Sequence, residues 1–570
     1  MIKKKIQKLR ELIKFNNLDG YVIPKNDAYF SEFSRPDRLK TISNFSGSAG
    51  FAIVLKKENF LFVDGRYTIQ AKIQSGKFFK ILEIPKFWPK DVLKKYNKKL
   101  TLGFDPQLFT NSILKRHFNN YCKTSLIKDN FIDLIHKEKT KNLVSLFYIL
   151  SNKIAGESVG SKINRLIKKI KSKNIDNIFI SAPENVAWLL NLRGKDNPFS
   201  PIPNCKIILT DKKKIYFFSC PKKINQIKKN KQYKNLIFCA YKDFSKVIYK
   251  LKGKNFCIDN LTCSISNESI ISKFFRIKLK TDPCYMMKSI KNKIEIKHTR
   301  DAHFKDGLAL TKFIFWIKNI NQKKITEIEA KNKLEKFRRL DKDYLFPSFD
   351  TIAGTGSNGA IIHYRVNKKS NKVIKKNDIF LCDSGGQYNY GTTDVTRTIC
   401  FSEQKKSIKD AFTNVLKGHI AVAQTNLNKI NTGKKIDASA RKFLNRNGLD
   451  YAHGTGHGVG FFLNVHEGPQ SISKYNSVKI KEGMILSNEP GYYKKGYYGI
   501  RIENLVYVKR NKKNLQFENL TLAPIEAKLI NYKLLTKNEK DYLFKYHLTI
   551  YSMYYKFLNM KERKWLASLI

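Results

Sequence analysis

The stretch IFLCDSGGQYNYGTTDVTRTI, residues 379–399, decides how this chain is read. Two carboxylates, Asp383 and Asp394, sit 11 positions apart on apolar, β-branched runs, and Gly385 to Gly391 between them is rich in turn residues. Two β-rich runs around a Gly/Asn connection predict a β-hairpin. Such a hairpin brings carboxylates on adjacent strands within reach of each other, at the roughly 5 Å spacing of cross-strand neighbours. Downstream, three further segments of the same character follow: AHGTGHGVG with His457, MILSNEPGYY with Glu489, and IRIENLVYV with Glu503.

Singly, each residue has an ordinary explanation. An Asp beside Gly at a strand end is usually turn chemistry, and a His in a glycine-rich loop is usually a hydrogen-bonded structural residue. The order Asp, Asp, His, Glu, Glu in strand contexts is harder to dismiss. Four carboxylates converging on an apolar sheet cannot stay bare, because burying like charges is prohibitive without cations. Five ligands exceed the need of one tetrahedral ion, and two bridging carboxylates would suit a pair of divalent ions. Oxygen donors with a single imidazole favour manganese-like ions, while zinc or cobalt also fit. Two such ions activate water and polarise a carbonyl or phosphoryl oxygen, so the sequence points first to a hydrolase.

The segment HGTGHGVGFFLNVHEGP, residues 453–469, together with SNEPGYY and GIRIENL, resembles the pita-bread metallopeptidases. Within that group it is similar to the long, three-domain Xaa-Pro aminopeptidases (aminopeptidase P). The resemblance implies an α/β (α+β) fold with two tandem creatinase-type N-terminal domains ahead of a pita-bread catalytic domain. It implies hydrolysis of the N-terminal bond of peptides with proline in second position, by a hydroxide held between two metal ions. It assigns Asp383, Asp394, His457, Glu489 and Glu503 to metal, with Asp394 and Glu503 bridging, and Glu489 to handling the proton. His453 and His466 are assigned to the tetrahedral intermediate. Arg66, His363, His457, His466 and Arg501 are assigned to substrate. Period-2 alternation puts Arg501 on the same strand side as Glu503, where it could hold a bridging carboxylate. The rival readings are a prolidase-type dipeptidase and, in a different class, a non-catalytic pita-bread binding module. The second is disfavoured because all five ligands are present.

Outside the site, 570 residues are too many for one core. The expected division is 1–147 and 148–285 for the two N-terminal domains, 286–540 for the catalytic domain and 541–570 for a helical tail. The first two share a plan. Asn17-Leu18-Asp19 corresponds to Asn174-Ile175-Asp176, Asn44 to Asn191, and FAIVL from Phe51 to KIILT from Lys206. The tail is expected to pack on the catalytic domain or on a partner subunit.

From residue 288 a long amphipathic helix is expected, with His298 and His303 on it as structural residues. A second helix follows, with Thr326 and Glu329 in capping-box register. Gly354 to Gly359 spells G-x-G-x-x-G, but AIIHYRV follows. A glycine turn between two strands is therefore expected rather than a dinucleotide loop, which must open a helix. His453 and His457 are four apart, yet the glycines around them exclude a helical pair.

The formal net charge of +62 would suit a nucleic-acid partner. The lysines are dispersed through every region, so no nucleic-acid partner is expected. Nine cysteines without a CxxC pair read as reduced thiols. The absence of a signal-peptide core or a membrane-length apolar run leads to the expectation of a cytoplasmic protein, a homodimer as in the family.

Overall fold

The computed structural model describes residues 2–118, 120–136, 145–319 and 324–570. The chain forms two compact units, Met1–Asn152 with Glu157–Tyr285, and Lys153–Gly156 with Met286–Ile570.

The first unit is built twice from one plan. After helix α1 (Ile2–Phe15) come strands β1 (Gly20–Pro24), β2 (Phe51–Leu55), β3 (Asn59–Asp64), β4 (Lys80–Ile84), β5 (Leu100–Phe104) and β6 (Cys122–Leu126), in sheet order β4-β3-β2-β1-β5-β6. After α2 (Val159–Lys171) come β7 (Asn177–Ile180), β8 (Lys206–Thr210), β9 (Ile215–Phe218), β10 (Leu236–Cys239), β11 (Asn255–Ile258) and β12 (Arg276–Leu279). Their sheet order, β10-β9-β8-β7-β11-β12, is the same arrangement. Parallel and antiparallel pairings match strand for strand.

The correspondence extends to turn chemistry. Asn17 and Asn174 both end their helices with positive φ, 53° and 52°, a conformation Asn tolerates better than most residues. Asp19 Oδ2 then accepts the N–H of Thr101, as Asp176 Oδ2 accepts that of Asn255. Each Asp thus satisfies a backbone donor beside the first strand of its sheet.

The second unit holds the motif residues. Helix α3 (Lys293–Lys318) starts at Asn292 in a capping box with Glu295, and α4 (Glu327–Arg338) at Thr326 in the expected box with Glu329. The long helix read from residue 288 is broken at its start, because Pro283–Ser289 forms a separate turn of helix. A three-stranded antiparallel sheet follows from β13 (Ile352–Thr355), β14 (Ile379–Ser384) and β15 (Val395–Cys400), with β14 in the centre. Phe380, Cys382, Val395 and Ile399 face Leu310, Phe313 and Leu334 of the two helices. Each fully buried side chain of this kind contributes about 1.5–3 kcal/mol. By alternation Asp383 is left on the opposite face from Cys382.

Helices α5 (Lys406–Ala423) and α6 (Gly433–Asn445) cover the five-stranded sheet formed by β16 (Gly456–Gly458), β17 (Glu467–Ile472), β18 (Ile485–Asn488), β21 (Asn504–Asn511) and β22 (Asn514–Asn519). Between β18 and β21 lies the hairpin β19 (Gly491–Lys494) and β20 (Tyr498–Arg501). The two sheets meet where Glu503 N–H donates to Thr396 O (3.2 Å) and Thr398 Oγ1 donates to Arg501 O (3.0 Å). Helices α7 (Lys537–Tyr554) and α8 (Met560–Ala567) end the chain.

The expected second strand at AIIHYRV does not form. Residues 359–363 make successive turns, with Ile361 N–H bonded to Asn358 O and Tyr364 N–H to Ile361 O, and 364–366 continue as irregular chain. Buried Glu327 accepts from Thr355 N, Asn358 Nδ2, Tyr364 OH and Lys372 N, gathering the loop around one carboxylate. Among the described residues no helix is long and apolar enough to cross a membrane, and all nine cysteines are free.

Candidate metal centre

The expected hairpin exists, with an insertion at its tip. β14 pairs with β15 in the register Asp383–Thr396 and Ser384–Val395, which leaves Asp394 just before β15. Gly386–Tyr388 and Gly391–Thr392 form a small sheet of their own with Tyr344–Pro347. His457 lies on β16, and Glu489 and Glu503 lie directly after β18 and before β21. The glycines that excluded a helix serve close strand contact. A Cβ on Gly456 would lie 1.9 Å from Ser487 O.

These elements converge. Among the described residues, ligand atoms of Asp394, His457 and Glu503 all lie within 4.8 Å of one another. His457 Nε2 is 3.5 Å from Asp394 Oδ2 and 3.5 Å from Glu489 Oε1. Its Nδ1 bonds Gly458 O at 3.0 Å, which turns Nε2 toward the carboxylates. Ser487 Oγ accepts the N–H of His457 (2.9 Å) and donates to Glu489 Oε1 (3.1 Å), fixing both. Thr396 Oγ1 donates to Glu503 Oε2 at 2.7 Å. Asp383 is held through Oδ2 by Arg501 Nη2 (2.6 Å), while its buried Oδ1 has no hydrogen-bond partner.

The electrostatics are those of a cation site. Burial, with Asp383 and Glu489 close by, outweighs His457 and pushes Asp394 up to about 6. Burial followed by Asp394, Glu489 and Asp383 pushes Glu503 well above the usual carboxylate range. Burial opposes charge on His457, but Asp394 and Glu489 overcome it and push the imidazole up to about 9. Acids crowded this closely favour a positively charged partner. An orphaned buried carboxylate oxygen, mutually repelling acids and an oriented imidazole fit divalent metal ions.

Around this core the predicted residues fall at different distances. His453 Nε2 bonds Tyr493 OH (2.9 Å), and its Nδ1 lies 3.9 Å from Glu489 Oε2. His466 is exposed, with its ring 4.4 Å from that of His457. His363 is half-buried on the 359–363 turns. Arg501 is buried and directed to Asp383 rather than to Asp394 or Glu503. Its Nε donates to Thr396 Oγ1 (3.0 Å) and its Nη1 to Tyr493 OH (2.5 Å). Arg66 belongs to the other unit and lies in the fork of Asp64 (2.9 and 2.8 Å).

Sequence reasoning missed Tyr493, which joins His453 to Arg501, and also Ser487 and Thr396. All three lie inside quoted motifs, but only the long-range pairing shows what they touch.

Comparison with known proteins agrees with this geometry. Residues 297–510 match the metallopeptidase family M24, and 513–569 match the C-terminal region of peptidase M24. Residues 5–129 and 138–295 each match the creatinase/prolidase N-terminal domain. A probable Xaa-Pro aminopeptidase P of Laccaria bicolor is 36% identical, over 95% of this chain and 89% of its own length. Xaa-Pro aminopeptidase 1 of Dictyostelium discoideum is 34% identical, over 100% of this chain and 96% of its own. The X-prolyl aminopeptidase of Caenorhabditis elegans, described as a cytosolic enzyme with a di-nuclear active site, superimposes with a TM-score of 0.93 at 29% identity, covering 100% of this chain and 99% of its own. The expected architecture of two creatinase-type domains before a pita-bread domain is present, and the chain belongs to metallopeptidase family M24.

Proposed function

We propose that this chain is a metallo-aminopeptidase that removes the residue preceding an N-terminal-side proline, with two divalent ions, manganese by donor type. The observation that carries this is the convergence of Asp394, His457 and Glu503, with Glu489 beside His457 and with Asp383 nearby carrying a buried carboxylate oxygen that has no hydrogen-bond partner. The full-length relatives named Xaa-Pro aminopeptidase support the substrate class.

Asp394 and Glu503 would bridge the ions, His457 and Glu489 would complete one, and Asp383 the other. When bound, such a pair supplies activated water and polarises the scissile carbonyl. Glu489, bonded to Ser487 and facing His453 and His457, would take up and pass on the proton. His453 and His466 would donate to the oxygen on which charge develops. The proline nitrogen must be protonated to leave, since a secondary-amine anion is a very poor leaving group; the bond itself is a tertiary amide with no N–H for a general peptidase to grip. Arg501 holds Asp383 in place beside the substrate. Arg66 and His363 are assigned to the peptide by resemblance. Arg66→Ala is expected to raise KM for tripeptides and longer peptides with metal content unchanged, the pattern of a lost uniform contact. The same reading carries a cytoplasmic homodimer, which sedimentation velocity checks.

The deciding assay compares Xaa-Pro-Yaa, Xaa-Ala-Yaa and Xaa-Pro, with and without manganese. Metal-dependent release of Xaa from Xaa-Pro-Yaa alone is expected. Cleavage confined to Xaa-Pro would make the chain a prolidase-type dipeptidase, and no cleavage of any of the three would make it a binding module.

A further inference from the structure

We propose that Arg397, held by Tyr546 of the C-terminal helix, is a positioning residue for Glu503, so that the tail of the chain is part of the metal centre's support. The inference rests on reading Glu503 as a ligand. Arg397 is 1% exposed, and the hydrogen bonds of its guanidinium go to uncharged oxygens. Its whole fork is spent on oxygens of Glu503, Asn504 and the segments packed against them. Nη1 donates to Glu503 O (2.6 Å) and Thr396 O (2.8 Å), and Nε donates to Pro524 O (3.0 Å). Nη2 donates to Asn504 Oδ1 (2.8 Å), Ala523 O (2.8 Å) and Tyr546 OH (3.0 Å).

Thus one guanidinium ties Glu503's own carbonyl to its cross-sheet partner Thr396 and to the side chain of the next residue, Asn504. On one side is Thr396, whose hydroxyl donates to Glu503 Oε2; on the other is Asn504, the next residue in the chain. Burying a full charge without a counter-ion is costly. The hydrogen-bond partners of Arg397 are uncharged oxygens, and the carboxylate whose charge favours the buried guanidinium is that of Glu503. Tyr546, on α7, closes the cage. Its hydroxyl also accepts from Ala523 N (3.3 Å) and donates among Asn504 Oδ1, Thr521 O and Ala523 O (3.1–3.3 Å). The neighbouring Tyr542 OH accepts from Asn519 Nδ2 (2.9 Å), which in turn faces Asn504. The tail therefore reaches the Glu503–Asn504 segment through two hydrogen-bonded routes.

The test uses the full-length, metal-free protein titrated with Mn2+ in a calorimeter, with its thermal unfolding measured in parallel. Partners that orient ligands from behind are typically worth 10–100-fold in metal affinity. Arg397→Lys, which keeps the charge but loses the fork, is expected to weaken Mn2+ binding by about 10–100-fold. Tyr546→Phe is expected to weaken it by about tenfold. A purely structural role would lower the metal-free melting temperature and leave affinity intact. Tyr546→Phe decides the matter even if Arg397→Lys does not fold: a loss under about threefold overturns the proposal. If wild-type protein binds two Mn2+ ions, that failure belongs to this inference alone. If wild type binds none, the metal reading fails and this one with it.

Discussion

At the scale of single residues, the upward shifts of Asp394, Glu503 and His457 fix the direction in which the metal-free protein responds to pH. His457 titrates near 9 in the folded chain, above the roughly 6.5 of a free imidazole. The stability it contributes is fully present below that lower value and is lost as pH rises through 9. Asp394, raised to about 6, contributes stability that is present below the ordinary carboxylate range and lost as pH rises through 6. Both trends run the same way, and the upward shift of Glu503 adds to them. Divalent ions take over as the protons leave. The gap in melting temperature between metal-loaded and metal-free protein is therefore expected to widen from pH 6 to pH 8.5 at fixed salt. Calorimetric scans of both forms check this, and a gap that narrows would contradict it. Tyr493 gives a second expectation. Its hydroxyl links His453 to Arg501 and hence to Asp383. Tyr493→Phe should lower kcat by about 10–100-fold with both ions retained, measured by steady-state kinetics alongside metal analysis.

At the scale of elements, the strand carrying His457 depends on backbone contact that only glycine permits. Gly456→Ala would place its Cβ 1.9 Å from Ser487 O, between β16 and β18, and Ser487 is the residue that fixes both His457 and Glu489. A loss of about 3 kcal/mol is expected, read by chemical denaturation. Gly160, in the first turn of α2, has nothing within 4 Å of its Cβ position. There Ala should stabilise by roughly 0.5–1 kcal/mol, because glycine loses more freedom on folding. The elements around the metal were legible in the sequence because the chemistry dictates residue type: acids and a histidine on β-rich, glycine-spaced runs. The loop bearing His363 was not. Its Ile, Tyr and Val residues have the local composition of a strand, but Glu327 gathers Asn358, Tyr364 and Lys372 around itself and side-chain hydrogen bonds override that preference. Thr396, Arg397 and Tyr546 were illegible for a related reason. Their partners lie as far as 149 positions away, and spacing along the chain carries no trace of such pairs.

At the scale of the whole molecule, the +62 charge is a standing repulsion. Screening lengths fall from roughly 30 Å at 0.01 M salt to about 8 Å at 0.15 M. The melting temperature should therefore rise by several degrees across that range, and a fall on adding sodium chloride would indicate that local ion pairs such as Arg38–Asp133 dominate instead. The duplicated plan of the first unit has a consequence for how the chain reaches its native state. Because β1–β6 and β7–β12 share strand order and direction, a strand of one copy can find in the other an edge of the same polarity. On the ribosome the first copy can close before the second is made, since domains fold as units from the N-terminus. In a test tube, diluted from denaturant, both copies search at once. Strand exchange between them then competes with correct closure, and the yield of active protein should depend on the order in which the copies become available.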